Sequence, residues 1–213
     1  MDLYVYASGG FGREVAWLAS ACADAGAALR VLGFLDDDAS RHGMVVNELP
    51  VLGLDAARAA TPDALVVVAA GAPAVRERIV ARVAEQGFGF ATLVHPRVER
   101  SRFVQFGRGT IVCAGCILTT DIRLGEHVHV NLDCTIGHDA VLHDFATLAP
   151  GVHVSGNVHV GRRAYVGTGA AIINGSADAP LVTGDDAALG AGAAVTRAVP
   201  PGTTVVGVPA RPR

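Results

Sequence analysis

Large apolar residues recur at every sixth position along the second half of the chain. Twelve consecutive positions of this series, from Phe106 to Ile172, are aliphatic or aromatic. A second series lies four residues further on in each repeat, runs from Thr110 to Ser176, and holds only small or β-branched residues. One large and one small inward residue per six is the hexapeptide pattern of a parallel β-helix, in which three hexads make one triangular coil. We therefore predict an all-β parallel β-helix over residues 99–213, with both series inside.

Glycines and one interruption give this pattern its turns. Glycine follows the large residue in several hexads, for example Gly125 and Gly137, where we expect tight turns with positive φ. The period breaks over residues 174–181, where Pro180 and neighbouring turn-forming residues predict a loop. The period then resumes at Thr183 and adds one more coil.

The first part of the chain, residues 1–98, has a different pattern. Predicted strands alternate with predicted helices, which indicates an α/β, Rossmann-like domain with a small parallel sheet. A glycine turn over residues 8–12 joins the first strand to a helix, and backbone N–H groups at such a turn suit a phosphate. Asp36 ends the second strand, where an acidic residue can meet a ribose hydroxyl. Val15 occupies the place of the third glycine of the dinucleotide fingerprint G-x-G-x-x-G. An α/β domain of this half size suits a mononucleotide better than NAD.

Composition excludes several classes of function. The chain has 17 basic residues, all of them arginine, so it has no lysine for a Schiff base or a phosphate-binding loop. The net charge of -3 leaves no basic excess for nucleic acid or for a polybasic membrane anchor. We find no membrane span, no signal peptide and no disulfide framework among the four cysteines. We therefore expect a cytoplasmic protein without a nucleic-acid partner.

His138 and Asp139 are the strongest catalytic candidates. Six of the eight histidines lie between residues 127 and 159. His138 is followed directly by the carboxylate Asp139, whereas His127, His129, His153 and His159 are each followed by valine. Both residues occupy turn positions of their hexad and should face outward. An imidazole beside a carboxylate can take a proton from an amine or a hydroxyl group. The sequence therefore predicts a general base at His138.

Two patterns could indicate a metal site, and both are weaker than the evidence for a general base. Cys113 and Cys116 have C-x-x-C spacing, but Cys116 belongs to the inward series and no second such pair exists. The spacing of His138 and His143 resembles two zinc ligands of gamma-class carbonic anhydrases, yet no suitable third histidine precedes His127. A zinc hydratase is therefore a remote alternative, and we expect no metal.

Three stretches of the chain resemble the NeuD/PglD-like family of sugar O- and N-acyltransferases. They are residues 12–14 together with 33–37, residues 131–139, and residues 189–192 together with 207–210. The resemblance extends over essentially the whole chain. It implies a left-handed β-helix, acetyl-CoA as co-substrate, and a homotrimer with active sites between subunits. It also implies that His138 is the base and Asp139 its acidic partner.

The same resemblance assigns the remaining contacts. The Gly156 N–H is expected to face the thioester oxygen. The family commonly has a second histidine nine residues after the base, where this chain has Thr147. Arg162, Arg163, Arg197 and Arg211 are four alternatives for the phosphates of coenzyme A. The implied contacts to the nucleotide-linked sugar are Gly9, Gly10, Phe11, Asp36, Asp37, Gly71 and Asn131, and those to acetyl-CoA are Thr147, Gly156, Thr168 and Ala191.

These features together predict an acetyl-CoA-dependent N-acetyltransferase. Its substrate would be the amino group of a nucleotide-linked amino sugar, such as a UDP- or dTDP-4-amino-4,6-dideoxy sugar, which attacks the thioester directly. A sugar O-acetyltransferase of the sialic-acid type is the alternative. A non-catalytic nucleotide-sugar-binding scaffold is more remote.

Overall fold

The computed structural model describes all 213 residues, and the chain divides into two compact units, Met1–Pro96 and Arg97–Arg213. The division falls two residues before the boundary that the sequence pattern suggests. No helix of the chain combines the length and the apolar character needed to cross a membrane.

The first unit is an α/β sheet domain. Its elements are β1 (Asp2–Tyr6), α1 (Gly10–Asp24), β2 (Arg30–Leu35), a 3₁₀ helix (Ala39–Arg41), β3 (Val45–Val46), β4 (Leu49–Leu52), α2 (Leu54–Ala60), β5 (Leu65–Val68), α3 (Pro73–Glu85), β6 (Gly89–Phe90) and β7 (Leu93–Val94). The sheet order is β3-β4-β2-β1-β5-β6, and only the β3–β4 pair is antiparallel. The sequence pattern did not predict the small β3–β4 hairpin or α2.

The central strands of this sheet end at one edge. Tyr6 of β1 pairs with Leu35 of β2 on one side and with Val68 of β5 on the other. All three residues are fully or almost fully buried, because strands covered on both faces need apolar side chains throughout. The turns that follow β1, β2 and β5 therefore lie side by side at the carboxyl edge, where open α/β sheets bind ligands.

The second unit is the predicted left-handed β-helix. Its strands are β8 (Glu99–Arg100), β9 (Gln105–Phe106), β10 (Ile111–Val112), β11 (Ile117–Leu118), β12 (Arg123–Leu124), β13 (His129–Val130), β14 (Thr135–Ile136), β15 (Val141–Leu142), β16 (Thr147–Leu148), β17 (His153–Val154), β18 (Val158–Val160), β19 (Tyr165–Val166), β20 (Ala171–Ile172), β21 (Leu181–Thr183), β22 (Ala188–Leu189), β23 (Ala194–Val195), β24 (Thr204–Val206) and β25 (Arg211–Pro212). From β8 to β23, successive strands lie in turn in three sheets of parallel strands, which form the three faces of a prism. The last two strands, β24 and β25, both extend the sheet of β22, and β25 is antiparallel to β24. Paired residues are 18 positions apart, as Ile111 and His129 show, so three hexads make one coil.

Both inward series form the core, with two exceptions. From Val112 onward every residue of the leading series is at most 4% exposed, whereas Phe106 at the open end is half-buried. Ser176, assigned to the inward series, is exposed because it belongs to the loop. That loop occupies residues 173–180, since Leu181 is buried and already begins β21.

The glycines of the turns serve a different purpose from the one predicted. Gly125 and Gly137 do not have positive φ, and the left-handed conformation falls two residues later, for example at Asp139 with φ of 58°. Gly137 is required for a close approach of two coils, because a Cβ atom there would lie 2.6 Å from the Gly156 nitrogen. Each glycine after a large residue thus lets neighbouring coils stack.

Candidate active site

His138 and Asp139 lie in the turn that follows β14. The His138 Nδ1 is 2.8 Å from the Asp139 carboxylate, and both side chains are more than half exposed. When Nδ1 carries its proton and donates it to this carboxylate, Nε2 is left as a free base. The structure thus brings together the two residues that the sequence predicts to be catalytic.

Gly156 occupies the equivalent turn one coil further along. A Cβ atom on Gly156 would lie 2.6 Å from His138 Nε2, so the imidazole rests directly against this glycine. The Gly156 carbonyl accepts a hydrogen bond from the Gly175 N–H at 3.1 Å, whereas the Gly156 N–H makes no hydrogen bond within the chain. A free N–H beside the base is a suitable donor to a developing oxyanion.

The other predicted acetyl-CoA contacts lie at a different corner of the prism. We call the turns at residues 113–115, 131–133, 149–151, 167–169 and 190–192 corner 1, and the turns at 119–121, 137–139, 155–157, 173–180 and 196–198 corner 2. Thr168 and Ala191 are exposed neighbours on corner 1, where the Gly192 N–H donates to the Thr168 carbonyl at 2.8 Å. His138 and Gly156 are on corner 2. A complete face separates the two groups within one copy of the chain.

Asn131 and Thr147 interact with the β-helix itself: Asn131 is hydrogen-bonded to neighbouring coils, and Thr147 is buried. The Asn131 amide donates to the Leu148 carbonyl at 2.7 Å, and its backbone carbonyl accepts from the Cys116 thiol at 2.9 Å. Asn131 also lies on corner 1, so it is not grouped with His138. Thr147 is in β16 with its side chain only 2% exposed. The contacts predicted for these two residues therefore have less geometric support than those at corner 2.

In the first unit, the glycine turn lies open at the carboxyl edge of the sheet. Gly9, Gly10 and Gly71 are exposed, and a Cβ atom on any of them would have no neighbour within 4 Å. Phe11 is half-buried in the first turn of α1. No side chain caps the N-terminus of α1 and no acidic residue lies in its first turn, so the positive end of the helix dipole faces the glycine turn without a neutralising side chain.

Asp36 holds the glycine turn in place through hydrogen bonds. Its carboxylate accepts hydrogen bonds from the backbone N–H and the hydroxyl of Ser8 and from the Asp38 N–H. Burial alone would raise the pKa of Asp36, but these hydrogen bonds and the charge of Arg41 hold it below the usual value. Asp36 thus positions the turn, in addition to any contact with a ribose.

Asp37 borders a cleft of about 600 Å³ beyond β2. Its carboxylate receives hydrogen bonds from the Tyr6 hydroxyl at 2.5 Å and from Arg82 at 2.6 Å. Leu52 and Gly53 also line the cleft. This cleft adjoins the turn after β2 and has the size of a small-molecule site.

Sequence reasoning missed three residues of this edge. Ser8 is 1% exposed and is the partner of Asp36, and Arg82 of α3 pairs with Asp37. Arg76 of α3 is fully buried, donates to the Ala70 carbonyl at 2.8 Å and the Gly71 carbonyl at 3.3 Å, and so shapes the turn after β5. Burial lowers the pKa of Arg76. A helical pattern containing one arginine on its apolar side was the available signal for Arg76.

Histidine and cysteine do not assemble a metal centre. No group of three or more His, Cys, Asp or Glu side chains is arranged to hold a metal ion, and all four cysteines are free and buried. His143 and His159 approach each other edge to face with centroids 6.4 Å apart. Burial and the neighbouring His143 lower the pKa of His159.

A left-handed β-helix with a histidine–carboxylate pair beside a free N–H, joined to an α/β unit, defines a hexapeptide-repeat acyltransferase. Residues 2–83 match the family described as the PglD N-terminal domain. A similarity over the full length is found with the solved structure of WeeI from Acinetobacter baumannii AYE, which is 34% identical, with 100% of both chains covered and a TM-score of 0.90. The chain belongs to the NeuD/PglD-like family of sugar O- and N-acyltransferases.

Other relatives are similarly close. The acetyltransferase domain of PglB from Neisseria gonorrhoeae FA1090, solved in complex with acetyl coenzyme A, is 33% identical over 100% of this chain and 98% of that one, with a TM-score of 0.87. A histidine-to-asparagine variant of perosamine N-acetyltransferase from Caulobacter crescentus, in complex with CoA and GDP-perosamine, is 27% identical over 100% of this chain and 97% of that one, with a TM-score of 0.90.

A curated relative covers a shorter region. GDP-perosamine N-acetyltransferase of Escherichia coli O157:H7 is 31% identical over 137 residues, which are 64% of this chain. The match spans 62% of that relative, which is less than two thirds of its length.

Proposed function

We propose that the protein is an acetyl-CoA-dependent N-acetyltransferase of a nucleotide-linked amino sugar. The observation that carries this proposal is the contact between His138 and Gly156, which joins a base to a free N–H at one corner of the β-helix. The relatives supply the substrate class, since one is solved with acetyl coenzyme A and another with CoA and GDP-perosamine. A GDP-linked amino sugar is therefore a candidate beside the UDP- and dTDP-linked sugars that the sequence suggested.

The chemistry needs no covalent enzyme intermediate. The neutral amine of the sugar attacks the thioester carbonyl, and a C–N bond forms as the carbonyl oxygen becomes an oxyanion near the Gly156 N–H. His138 Nε2 takes the proton from the attacking nitrogen, while Asp139 stabilises the resulting imidazolium through Nδ1. The C–S bond then breaks, and the imidazolium returns the proton to the thiolate.

The nucleotide is assigned to the first unit. The open turn at Gly9 and Gly10 and the N–H groups of α1 suit the diphosphate, and the cleft beside Asp37 suits the nucleoside. A free sugar has no diphosphate or nucleoside for this edge to bind. The edge therefore favours a nucleotide-linked substrate over free sialic acid.

We also propose a homotrimer with shared active sites. Thr168 and Ala191 lie on corner 1 and His138 lies on corner 2 of the same copy, with a face of the prism between them. One site that uses both groups needs corner 1 of one copy and corner 2 of another. The cytoplasm remains the proposed compartment, because the four cysteines are free thiols.

A panel of donors and acceptors tests the function. Purified protein is incubated with acetyl-CoA and GDP-, UDP- or dTDP-linked amino sugars, and thiol release and product mass are followed. We expect thiol release and an N-acetylated product with at least one amino sugar. Release with the matching hydroxyl sugars alone would favour the O-acetyltransferase, and release with none of these acceptors would contradict the proposal.

A further inference from the structure

The only interruption of the β-helix emerges at corner 2, beside the candidate base. Residues paired across neighbouring coils are 18 apart before the loop, as His153 and Ala171 show, and 23 apart across it, as Val158 and Leu181 show. Five residues, 176–180, are therefore inserted into an otherwise regular coil. They are exposed except for Pro180, which is half-buried.

The base of the insertion is fixed to the candidate oxyanion site. The Gly175 N–H donates to the Gly156 carbonyl at 3.1 Å, and the Leu181 N–H donates to the Asn157 carbonyl at 3.0 Å. The insertion itself closes on two hydrogen bonds between Ser176 and Ala179, of 3.0 and 3.2 Å. It is therefore a structured projection that stands next to Gly156, on the side away from His138.

Arg197 continues the same line of turns toward the C-terminal end. It follows β23, as His138 follows β14, so corner 2 presents His138, Gly156, the insertion and Arg197 in this order. Coils are spaced by about 4.8 Å, which places the Arg197 turn about 14 Å from that of His138. The pantetheine arm of coenzyme A has the backbone length of a peptide of about four residues, or about 14 Å when extended.

Charge pairing also distinguishes Arg197 among the four candidate arginines. Arg163 is held by Asp186 through two hydrogen bonds of 2.6 and 2.7 Å, and Arg162 is 3.5 Å from Asp144. Arg197 is exposed and makes no hydrogen bond or ion pair within the chain. It lines a cavity of about 220 Å³ together with Arg211, whose Nη1 donates to the Ala210 carbonyl at 2.8 Å. An unpaired guanidinium is suited to phosphate.

We propose that corner 2 determines donor specificity in this chain: the insertion 176–180 borders the pantetheine arm of the acyl donor, and Arg197 binds its diphosphate. This inference rests on the proposed function, because it presumes an acyl coenzyme A donor. In this arrangement the acyl donor lies along the β-helix, with its thioester at His138 and its nucleotide end toward the C-terminus. The insertion, which a regular hexapeptide coil lacks, then limits the space beside the thiol end.

Arg197→Ala and truncated donors separate the two parts of the proposal. With acetyl-CoA, we expect Arg197→Ala to raise KM about 10- to 100-fold, as expected for loss of a hydrogen bond between charged groups. With S-acetylpantetheine, which has no diphosphate, the same variant should have the kcat/KM of the wild type. Arg30→Ala, which removes an exposed arginine paired with Asp2 in the first unit, is the matched control and should leave both donors unaffected.

Deletion of residues 176–180 tests the insertion. The deletion connects Gly175 directly to Leu181. Leu181 would then follow its partner Val158 by 18 positions, as in the regular coils, so the fold should persist. We expect a changed kcat/KM for both acetyl-CoA and S-acetylpantetheine, a gain in the relative rate with longer acyl groups, and an unchanged KM for the amino sugar. A second variant replaces the five residues with glycine and serine, keeps the loop length, and should show a weaker form of the same changes.

The outcomes distinguish this inference from the proposed function. Equal losses with both donors in Arg197→Ala, or no loss with acetyl-CoA, would overturn the role of Arg197. A deletion that melts at the wild-type temperature and changes only the KM of the sugar, or nothing, would overturn the role of the insertion. If the wild type itself releases no thiol from acetyl-CoA and calorimetry detects no binding of coenzyme A, the proposed function fails and this inference fails with it.

Discussion

The His138 imidazole rests on the Cα atom of Gly156, one coil further along the β-helix, with room for no side chain between them. A Cβ atom on Gly156 would come within 2.6 Å of both Cε1 and Nε2 of the ring. The imidazole is thus held from two sides, by the Asp139 carboxylate at Nδ1 and by Gly156 below the ring. Its position depends on the stacking of two coils and not on its own turn alone.

Gly156→Ala should therefore displace the base without unfolding the protein. Gly156 does not have positive φ, so alanine fits the backbone, and the strain falls on the exposed ring of His138. A misplacement of about 1 Å can cost about 100-fold in rate, and we expect a loss of kcat of about that size. Melting temperature and steady-state kinetics are the measurements, with Ser155→Ala as the neighbouring control. Wild-type kcat in Gly156→Ala would show that the ring position is not critical.

Substitution of the base should have the largest effect on rate. His138→Asn keeps a polar side chain but removes the proton acceptor, so we expect kcat to fall by about 100- to 10,000-fold. Asp139→Asn should lower kcat less, because the imidazole remains and only the stabilisation of its charged form is lost. Binding of coenzyme A, measured by calorimetry, should be retained in both variants. Unchanged turnover in His138→Asn would rule out His138 as the base.

Two glycines of the first unit should respond in opposite ways to alanine. Gly10 has open space around it, so Gly10→Ala should keep or slightly raise stability, since alanine favours helix, while the added methyl hinders a bound diphosphate. Gly12→Ala should destabilise the protein, because its Cβ atom would lie 1.8 Å from the Ala7 carbonyl oxygen. Thermal melts and nucleotide titrations measure the two effects. Full nucleotide affinity in Gly10→Ala would move the phosphate site elsewhere.

The hexad pattern determined most of the second unit in advance, because a period of six specifies both which residues are inside and how coils pair. The pairing of Ile111 with His129 follows directly from it. Periodicity cannot specify what happens when the period breaks, so the end of the loop at Leu181 and the exposure of Ser176 were misassigned. The turn glycines were also misread, since the sequence does not show that Gly137 faces the Gly156 nitrogen of the next coil.

The sites were predictable to different degrees. His138 and Asp139 are adjacent in sequence, so their contact could be inferred from a single hexad. The contact of His138 with Gly156 depends on an 18-residue coil, and the support of Asp36 by Ser8 joins residues 28 apart in chain order. The burial of Arg76 could be inferred from its place on the apolar side of a helical pattern. Its hydrogen bonds to the Ala70 and Gly71 carbonyls could not, because backbone carbonyls carry no sequence signal.

Asp36 should make the first unit sensitive to acid. Its folded-state pKa is lowered, chiefly by Ser8 against the opposing effect of burial, so its contribution to stability is complete above the unfolded-state pKa of about 3.9. That contribution is lost as the pH falls through the lower folded-state pKa. Asp36→Asn should reduce the free energy of unfolding at pH 7 by about 1–3 kcal/mol and weaken the acid dependence below pH 4. Denaturant unfolding at several pH values, with Asp24→Asn as a control, measures this difference. Parallel pH profiles for wild type and Asp36→Asn would contradict it.

Complementation between variants tests whether one active site is built from two copies of the chain. Ala191→Trp blocks corner 1 with an exposed bulky ring, and His138→Asn removes the base from corner 2, so each variant alone should be inactive. If a site combines corner 1 of one copy with corner 2 of another, a mixed trimer contains sites in which both corners are wild type. Each mixed trimer then contains one such site among its three. Co-expression of the two variants, purification of the mixed trimers and measurement of thiol release should therefore recover about a third of the wild-type rate. Recovery should be absent when the two substitutions are combined in one chain and co-expressed with His138→Asn. An inactive mixed trimer would indicate that each copy carries a complete site.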